Sequence, residues 1–512
     1  IDQTTGYVRD LCDYHAGSAN IPSFGLLILT GAQPSFAKLV SGTPVIGSDS
    51  LHQYLFNAHH EGQIDLDNWL NSPYQPLPTL VEAARRIFRD EPLPHIHTAI
   101  SAGIPQTVEL LGQIVDQNAD EGTRSLAFVT GVPGSGKTLV GLRLVHERTA
   151  VHGRATFLSG NGPLVQVLQD ALKSRVFVRD LHAFIKTYAL NQKPQTPDEH
   201  IIVFDEAQRA WDAEYMKEKK DIERSEPELL ISIGERIKDW VTMVGLIGEG
   251  QEIHSGEEAG IEQWREAVSH NSNTQDWLIH CPPKLENKFV GLNVKTHPEL
   301  DLNVTLRSKR AAVLHEWVHL LLEGRLASAN SKALKIHHAQ YPLYVTRDLK
   351  QAKSYATQRF LDEPQHRSGL LASSHSKILP KHGIDNGYQA TSNMNVAKWY
   401  NAPTDNSKSS NALTQPVTEF GCQGLELDLP ILCWGEDYRW HADQWLLKPI
   451  NRRYKQDDPL ALLRNAYRVL LTRGRDGLII FVPNEPSMDA TENALLAAGV
   501  RLLPTDAELI AV

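Results

Sequence analysis

Residues Gly131 to Thr138 read GVPGSGKT, directly after the apolar run Leu126 to Val129 and ahead of a helical stretch from Leu139 to Arg148. A G-x-x-x-x-G-K-T loop between a strand and a helix admits few folds, because its backbone N–H groups must turn inward at the C-terminal edge of a parallel strand. Such a loop cradles phosphate, with Lys137 reaching the β and γ phosphates and the Thr138 hydroxyl on Mg²⁺. Gly131, Pro133, Gly134, Ser135, Gly136, Lys137 and Thr138 are therefore assigned to nucleotide binding, with ATP and Mg²⁺ as the expected ligands.

The pattern on either side agrees with a parallel α/β sheet. From about residue 100 a helix over Gln106–Asn118 leads into the loop strand and its helix. Strand Ala155–Leu158, helix Pro163–Leu172, strand Ile201–Phe204 and strand Met243–Ile247 follow. Alternation of this kind puts helices on both faces of the sheet. The charged run Ala213–Ser225 reads as a solvated helix or loop. A second series starts near Asp301, with strands at Leu302–Thr305, Leu343–Val345, Gly369–Ala372, Leu429–Trp434 and Leu478–Val482 and helices at Ala311–Leu322 and Leu349–Leu361. A polar insertion or linker covers Ala402–Ala412.

At 512 residues the chain holds about three or four domains. We divide it into an N-terminal α/β module (1–99), a first lobe (100–300) and a second lobe (301–512). The module is expected to contain a helix (Thr5–His15), a buried strand (Gly25–Thr30), a short strand at Pro44–Ile46, and helices Ser50–Asn57 and Leu80–Asp90. A Pro-rich connector, Ser72–Pro78, lies between the last two. His59, His60, His95 and His97 read as surface loop residues. A net charge of −10 excludes a uniformly basic nucleic-acid coat but leaves a local basic channel open. Four scattered cysteines fit a reducing cytosol and no zinc site. No apolar run approaches the roughly 20 residues that span a bilayer.

In HIIVFDEAQRAWD, four apolar residues end in Asp205-Glu206, which sets two carboxylates at the C-terminal edge of a buried strand. Asp205 there would hold the Mg²⁺ and Glu206 would orient or deprotonate the attacking water.

At this point the residues resemble a family. The run DEAQ behind the phosphate loop looks like a superfamily 1 helicase, and VFDEAQRAWD resembles the Schlafen-type helicase-like family of prokaryotes. The likeness covers about 100 to 512. It implies two tandem RecA-like parallel-sheet lobes, ATPase activity and a DNA or RNA partner, single-stranded in the usual mode. It also implies a setting in mobile-element or antiviral defence. GEGQEI (Gly248–Ile253) resembles motif III and makes Gln251 the γ-phosphate sensor, although Glu249 stands where helicases commonly have Asp. LRS (Leu306–Ser308) resembles motif IV and makes Arg307 an arginine finger. TEFGCQGLELD (Thr418–Asp428) resembles motif V, with Gly424 and Glu426 beside the nucleotide and the common His absent. NAYRVLLTRGRDGLIIFVP (Asn465–Pro483) resembles motif VI, with Arg473 as the second finger.

Other residues stay open between two readings. Gln106 resembles the adenine-reading Gln and equally reads as a surface residue. Asn161, in SGNGPLV, resembles the motif that touches the nucleic-acid backbone and equally reads as a helix cap. Trp434, Tyr438, Trp440 and Trp445 fit core packing better than base stacking. Gln3, Tyr7, Leu11, His15 and GLLILT resemble the part of a PD-(D/E)xK nuclease-like fold that follows its catalytic strands. The leading expectation is a helicase-type motor of the cytoplasm. The competing one is an ATP-driven switch on a partner protein or nuclease that unwinds nothing.

Overall fold

The chain was described from a computed structural model covering residues 2–18, 21–40, 43–57, 64–72, 79–89, 103–132, 134–248, 260–270, 276–302, 309–361, 365–447 and 459–504. The N-terminal part folds into helix Asp2–Tyr14, a small sheet, and helices Ser50–Asn57, Leu66–Leu70 and Leu80–Ile87. In that sheet β1 (Leu27–Ile28) runs parallel to β3 (Thr43–Ile46), while β2 (Ala37–Val40) pairs antiparallel on the other side of β3. The buried strand expected over Gly25–Thr30 is thus only two residues long, and Ile28 is 38% exposed. Leu26, Leu27 and Leu29 are half-buried, while the neighbouring β3 buries Val45 and Ile46. Helix Leu80–Ile87 is capped by Thr79, whose hydroxyl accepts from Glu82 N, and buries Val81, Ala84 and Ile87. That face packs on helices Lys137–His152 and Gly162–Leu172.

The first large sheet is built from β4 (Arg124–Gly131), β5 (Ala155–Ser159), β6 (Val178–Asp180), β7 (Ile201–Phe204), β8 (Val241–Gly248), β9 (Trp277–Cys281), β10 (Asn293–Thr296) and β11 (Asp301–Leu302). Its order is β10-β9-β4-β8-β7-β5-β6, every pairing is parallel, and β11 adds to β4. β7 and β8 are buried along their whole length, as apolar strands covered on both faces must be. One edge of β4 changes partner: Arg124–Ala127 pair with β9, and Thr130–Gly131 pair with β11. The strand expected to open the second lobe at Leu302 therefore belongs to the first sheet. Helix Lys137–His152 lies close on this sheet because Gly141 has no side chain. A Cβ there would meet Phe157, Leu246 and Val203 at 2.7–2.9 Å.

The second sheet comprises β12 (Leu343–Thr346), β13 (Ser368–Ala372), β14 (Pro416–Thr418), β15 (Leu429–Cys433), β18 (Leu478–Phe481) and β19 (Arg501–Leu502), in the order β14-β13-β15-β18-β12-β19. All its pairs are parallel too. Between β15 and β18 runs a hairpin of β16 (Tyr438–His441) and β17 (Gln444–Leu447). The fold is α/β, with two RecA-like parallel sheets and a small N-terminal sheet. Helix Ala213–Lys220 occupies the charged run and buries only Met216. Among the described residues no helix is long and apolar enough to cross a membrane.

Candidate nucleotide-binding site

The loop after β4 turns on Gly134 and Gly136, at φ 77° and 92°, values that a residue with a Cβ adopts only under strain. Gly136 caps helix Lys137–His152. Ser135 N closes the turn on Val132 O at 3.1 Å, and Val132 N donates to Leu302 O at 3.4 Å. A Cβ at Gly131 would lie 2.4 Å from Ser135 Oγ and 2.9 Å from Leu302 O. Ser135 Oγ is buried and has no hydrogen-bond partner among the described residues. Lys137, 9% exposed, donates from Nζ to Gly131 O at 2.7 Å and Val132 O at 3.1 Å. Its ammonium thus rests on the loop's own carbonyls.

β7 ends beside this loop. Asp205 N donates to Leu158 O, and Thr138 Oγ1 lies 3.4 Å from Asp205 Oδ1. Burial, with the Glu206 carboxylate next to it, pushes Asp205 up to about 7, against the opposing pull of Lys137 and Thr138. Glu206 sits at φ 56°, ψ 46°, a left-handed conformation uncommon outside glycine and worth a structural reason. The reason is visible in its contacts. Glu206 Oε2 accepts from Gln208 Nε2 at 2.5 Å and lies 3.6 Å from Arg209 Nε. Gln208 Oε1 in turn accepts from Gly248 N, at the end of β8, at 2.9 Å. A Cβ on Gly248 would fall 3.1 Å from Glu206 Oε2, 3.3 Å from Gln208 Nε2 and 3.7 Å from Lys137 Cε. Lys137, Thr138, Asp205, Glu206 and Gln208 therefore share one cleft at the C-terminal edges of β4, β7 and β8.

Gln208 was given no separate role from the sequence. Its signal was present in DEAQ: a buried Gln two residues past an acidic pair has to bond something, and here it ties the acidic turn to the end of β8. Asp301 is a second such residue. It accepts from Thr130 Oγ1 at 2.7 Å and pairs with Lys284 Nζ at 2.8 Å, which fixes β11 against the loop strand. Gln106 lies exposed in the first turn of helix Ile104–Glu121. Its neighbour Thr107 donates to Glu299 O at 2.6 Å, so that turn stands beside the segment leading into β11.

On the second sheet, Gly424 (φ 73°) faces the first lobe, since a Cβ there would lie 2.6 Å from Asn161 Nδ2. Asn161 caps helix Gly162–Leu172, its Oδ1 accepting from Leu164 N, and donates from Nδ2 to Gln423 O at 2.8 Å. Glu426 O accepts from Tyr400 OH at 2.9 Å. The Arg473 guanidinium donates to Val469 O (2.9 Å), Leu425 O (3.2 Å) and Thr472 Oγ1 (3.1 Å), all within the second lobe. Pro133, Glu249, Gln251, Arg307 and the four loop histidines His59, His60, His95 and His97 lie outside the described residues. Leu302, the last described residue before Arg307, is paired to Gly131 itself. Trp434 and Tyr438 are fully buried and Trp440 and Trp445 nearly so, in stacks with one another, which makes them core.

A phosphate loop in one parallel-sheet lobe, followed by a second such lobe, is an arrangement found in helicase-type proteins. The family model described as "Schlafen group 3, DNA/RNA helicase domain" matches residues 124–484. With most of its length matched, the chain belongs to that family. Among solved structures it is similar to one described as "The structure of PRRSV helicase". That match has 12% identity, covers 78% of this chain and 67% of the other, and has a TM-score of 0.25. It is also similar to the Hef helicase domain of Pyrococcus furiosus, at 10% identity over 75% of this chain and 97% of that one, with a TM-score of 0.27. No curated protein matches the chain.

Proposed function

We propose that this chain hydrolyses ATP with Mg²⁺ and couples turnover to translocation on, or remodelling of, a single strand of DNA or RNA. The observation that carries this reading is the convergence of Lys137, Glu206 and Gln208 around Gly248, with Thr138 beside Asp205 at the end of β7. The residues fit the expected ligands on physical grounds. The buried Ser135 hydroxyl lacks a partner among the described residues, Gly134 and Gly136 take the positive φ that turns the loop, and Thr138 Oγ1 and Asp205 Oδ1 lie 3.4 Å apart. Mg²⁺ held by Thr138 and Asp205 would neutralise charge on the β and γ oxygens.

The protein's own groups then divide the work. Lys137 Nζ leaves the carbonyls of Gly131 and Val132 for the phosphate oxygens. Glu206, held by Gln208 and flanked by Arg209, is aimed to take a proton from water. Arg473 exchanges its own-lobe carbonyls for developing charge as the lobes close, and Arg307 and Gln251 are proposed to complete the shell with Gln106, Gly424 and Glu426. An arginine supplied this way contributes about 10³ to 10⁵ in rate, so turnover depends on lobe closure. The proposed units are the N-terminal module, a first lobe running through Leu302, and a second lobe after it.

A second reading, an ATP-driven switch that acts on a protein partner or nuclease, is favoured by the Asn161–Gln423 hydrogen bond. Asn161, open between a nucleic-acid contact and a helix cap from the sequence, is occupied there in capping its helix and joining the lobes. Measuring ATP turnover with and without single-stranded DNA and RNA separates the two. Strong stimulation and salt-sensitive binding are expected of a motor; their absence would leave the switch.

A further inference from the structure

Two adjacent residues at the end of helix Val396–Asn401 bond to different parts of the chain. Tyr400 is buried in the second lobe, and its OH donates to Glu426 O at 2.9 Å, in the loop that carries Gly424. Asn401 reaches outside that lobe. Its Nδ2 donates to Val167 O and to Asp170 Oδ2, both at 3.0 Å and both on helix Gly162–Leu172 of the first lobe. Asp170 keeps its other oxygen on Lys173 Nζ at 2.9 Å. The Asn401 Oδ1 accepts from Arg85 Nη2 at 3.0 Å, on helix Leu80–Ile87 of the N-terminal module. One amide thus fills its two donor positions and its acceptor from two other units of the chain. These partners also fix which way it points, since the reversed amide would set an NH2 against a guanidinium and an oxygen against two oxygens.

The helix is seated firmly on the second sheet. Trp399 lies against Gly369 of β13, where a Cβ would come within 2.7 Å of the indole, and its Nε1 donates to Gln415 O at 3.1 Å, just ahead of β14. Its buried face, with Val396 and Trp399, packs on helix Gly162–Leu172, which buries Leu164 and Val167. Helix Leu80–Ile87 packs on the same first-lobe helix. Helix Gly162–Leu172 is therefore bonded to the second lobe at two places, from its cap Asn161 to Gln423 O and from Val167 and Asp170 to Asn401. The short run Gln423–Glu426 is held at one end by Asn161 and at the other by Tyr400.

We propose that Asn401 is a positioning residue for Gly424 and Glu426, acting through Tyr400, and that Arg85 makes the N-terminal module part of that support. Without the Asn401 amide, helix Val396–Asn401 keeps its seat on the second sheet but loses its directional hold on the first lobe. Apolar packing between the two helices remains, and packing is non-directional and lets them slide. The placing of Gly424 and Glu426 at the nucleotide rests on the proposed ATPase reading; the hydrogen-bonded link does not.

The test uses the full chain as Asn401→Ala, Asn401→Asp, Arg85→Ala, Tyr400→Phe and Asn401→Ala/Tyr400→Phe. Asn401→Ala is expected to lower kcat for ATP roughly tenfold, the scale of a slightly misplaced group, with KM within about threefold. Asn401→Asp should do no better, because it keeps an oxygen for Arg85 but sets an acceptor against Val167 O and Asp170. Arg85→Ala should cost only about two- to threefold, since both bonds to the first lobe remain. Tyr400→Phe removes the OH on Glu426 and should match Asn401→Ala, and the double variant should be no worse than either single one, as for two steps of one linkage. Backbone hydrogen exchange at Cys422 and Leu425, which bond Thr418 O and Cys422 O, should quicken in Asn401→Ala and Tyr400→Phe. A lower denaturation midpoint with kcat and this exchange unchanged would mean a role in stability only, and overturns the proposal. Absence of ATP turnover in the wild type refutes the ATPase reading instead, and the exchange measurement then decides the link by itself.

Discussion

The Asn161 side-chain amide donates to the backbone carbonyl of Gln423, joining the helix after β5 to the loop before β15 across the two lobes. The other end of the same amide caps helix Gly162–Leu172. The two roles can be separated by one atom. Asn161→Asp keeps the capping oxygen, since Asp caps as well as Asn, but turns the donor into a carboxylate facing a carbonyl. Loss of a hydrogen bond plus that repulsion should weaken the inter-lobe contact by about 1–3 kcal/mol while leaving the helix intact. Small-angle scattering should show a larger radius of gyration, with unchanged helical circular dichroism. A variant as compact as wild type would mean that the contact does not hold the lobes.

Lys137→Ala and Glu206→Gln should both abolish ATP hydrolysis but differ in binding. On the proposed reading Lys137 holds the phosphates in both ground and transition state, so its loss should weaken nucleotide affinity as well. If Glu206 acts on water as proposed, Glu206→Gln should bind nucleotide within a few-fold of wild type while turnover falls by about 10² or more. Fluorescent-nucleotide titration beside a phosphate-release assay tests this. Turnover surviving either substitution would remove these residues from the site.

The fold of this cleft was largely legible, and its fine structure was not. Ile201–Phe204 and the strand before the phosphate loop announce themselves because fully buried parallel strands read as unbroken apolar runs. β11 is two residues long, too short to show any period, and its place beside β4 is decided by pairing with residues 171 positions away, as Asp301 and Thr130 show. β10 is a largely exposed edge strand reading NVKT and carries no apolar signal. Glu206 could be recognised by type and place, but its left-handed backbone and its hold by Gln208 depend on the end of β8. In the same way, the motif resemblance picks out Arg473 but is silent on the carbonyls its guanidinium rests on.

Asp205 predicts a pH dependence whose sign follows from burial. Its folded value is raised to about 7 from an ordinary value of about 4, so between those limits the folded protein binds protons that the unfolded chain does not. At this site stability therefore falls as pH rises from about 4 to about 7. Asp205→Asn should gain on wild type across that window and hold a constant advantage above it. If Asp205 holds Mg²⁺ as proposed, the ion requires the ionised carboxylate, so the Mg²⁺-nucleotide complex should bind about tenfold more weakly near pH 6 than near pH 8 and release a proton on binding. Denaturation curves across pH and calorimetry in buffers of different ionisation enthalpy check the two halves. A flat affinity profile would show that Asp205 is already ionised below pH 6.

Gly141 lets helix Lys137–His152 rest directly on β5, β7 and β8. Gly141→Ala improves helix propensity by about 1 kcal/mol but drives a methyl group against Phe157, Leu246 and Val203 in a close-packed core. Overpacking should dominate, giving a net loss of about 1–2 kcal/mol. Because the helix begins at Lys137, displacement would also carry the phosphate loop with it. Urea denaturation should show a lower midpoint at unchanged m-value, accompanied by weaker nucleotide binding. A variant as stable as wild type would mean that the interface relaxes around the extra carbon.

Trp445 distinguishes a core from a base-stacking platform. It lies 4.8 Å from the Tyr438 ring at 8° and 5.3 Å from Trp434 at 24°, and its Nε1 donates to Leu321 O at 2.6 Å. With only 8% of its surface exposed, it has no open face to offer a base. Trp445→Ala should cost about 3–5 kcal/mol of stability, the range for a large aromatic removed from a packed interior. Trp445→Phe keeps the stack, loses the indole donor, leaves Leu321 O with Gly324 N as its partner and should cost about 1–2 kcal/mol. A stacking platform would behave otherwise, since each base-aromatic stack contributes about 1–3 kcal/mol to binding and little to folding. Single-strand affinity of Trp445→Phe, measured well below its unfolding transition, should therefore stay within about twofold of wild type. A tenfold weaker complex at an unchanged denaturation midpoint would place this tryptophan on the strand instead of in the core.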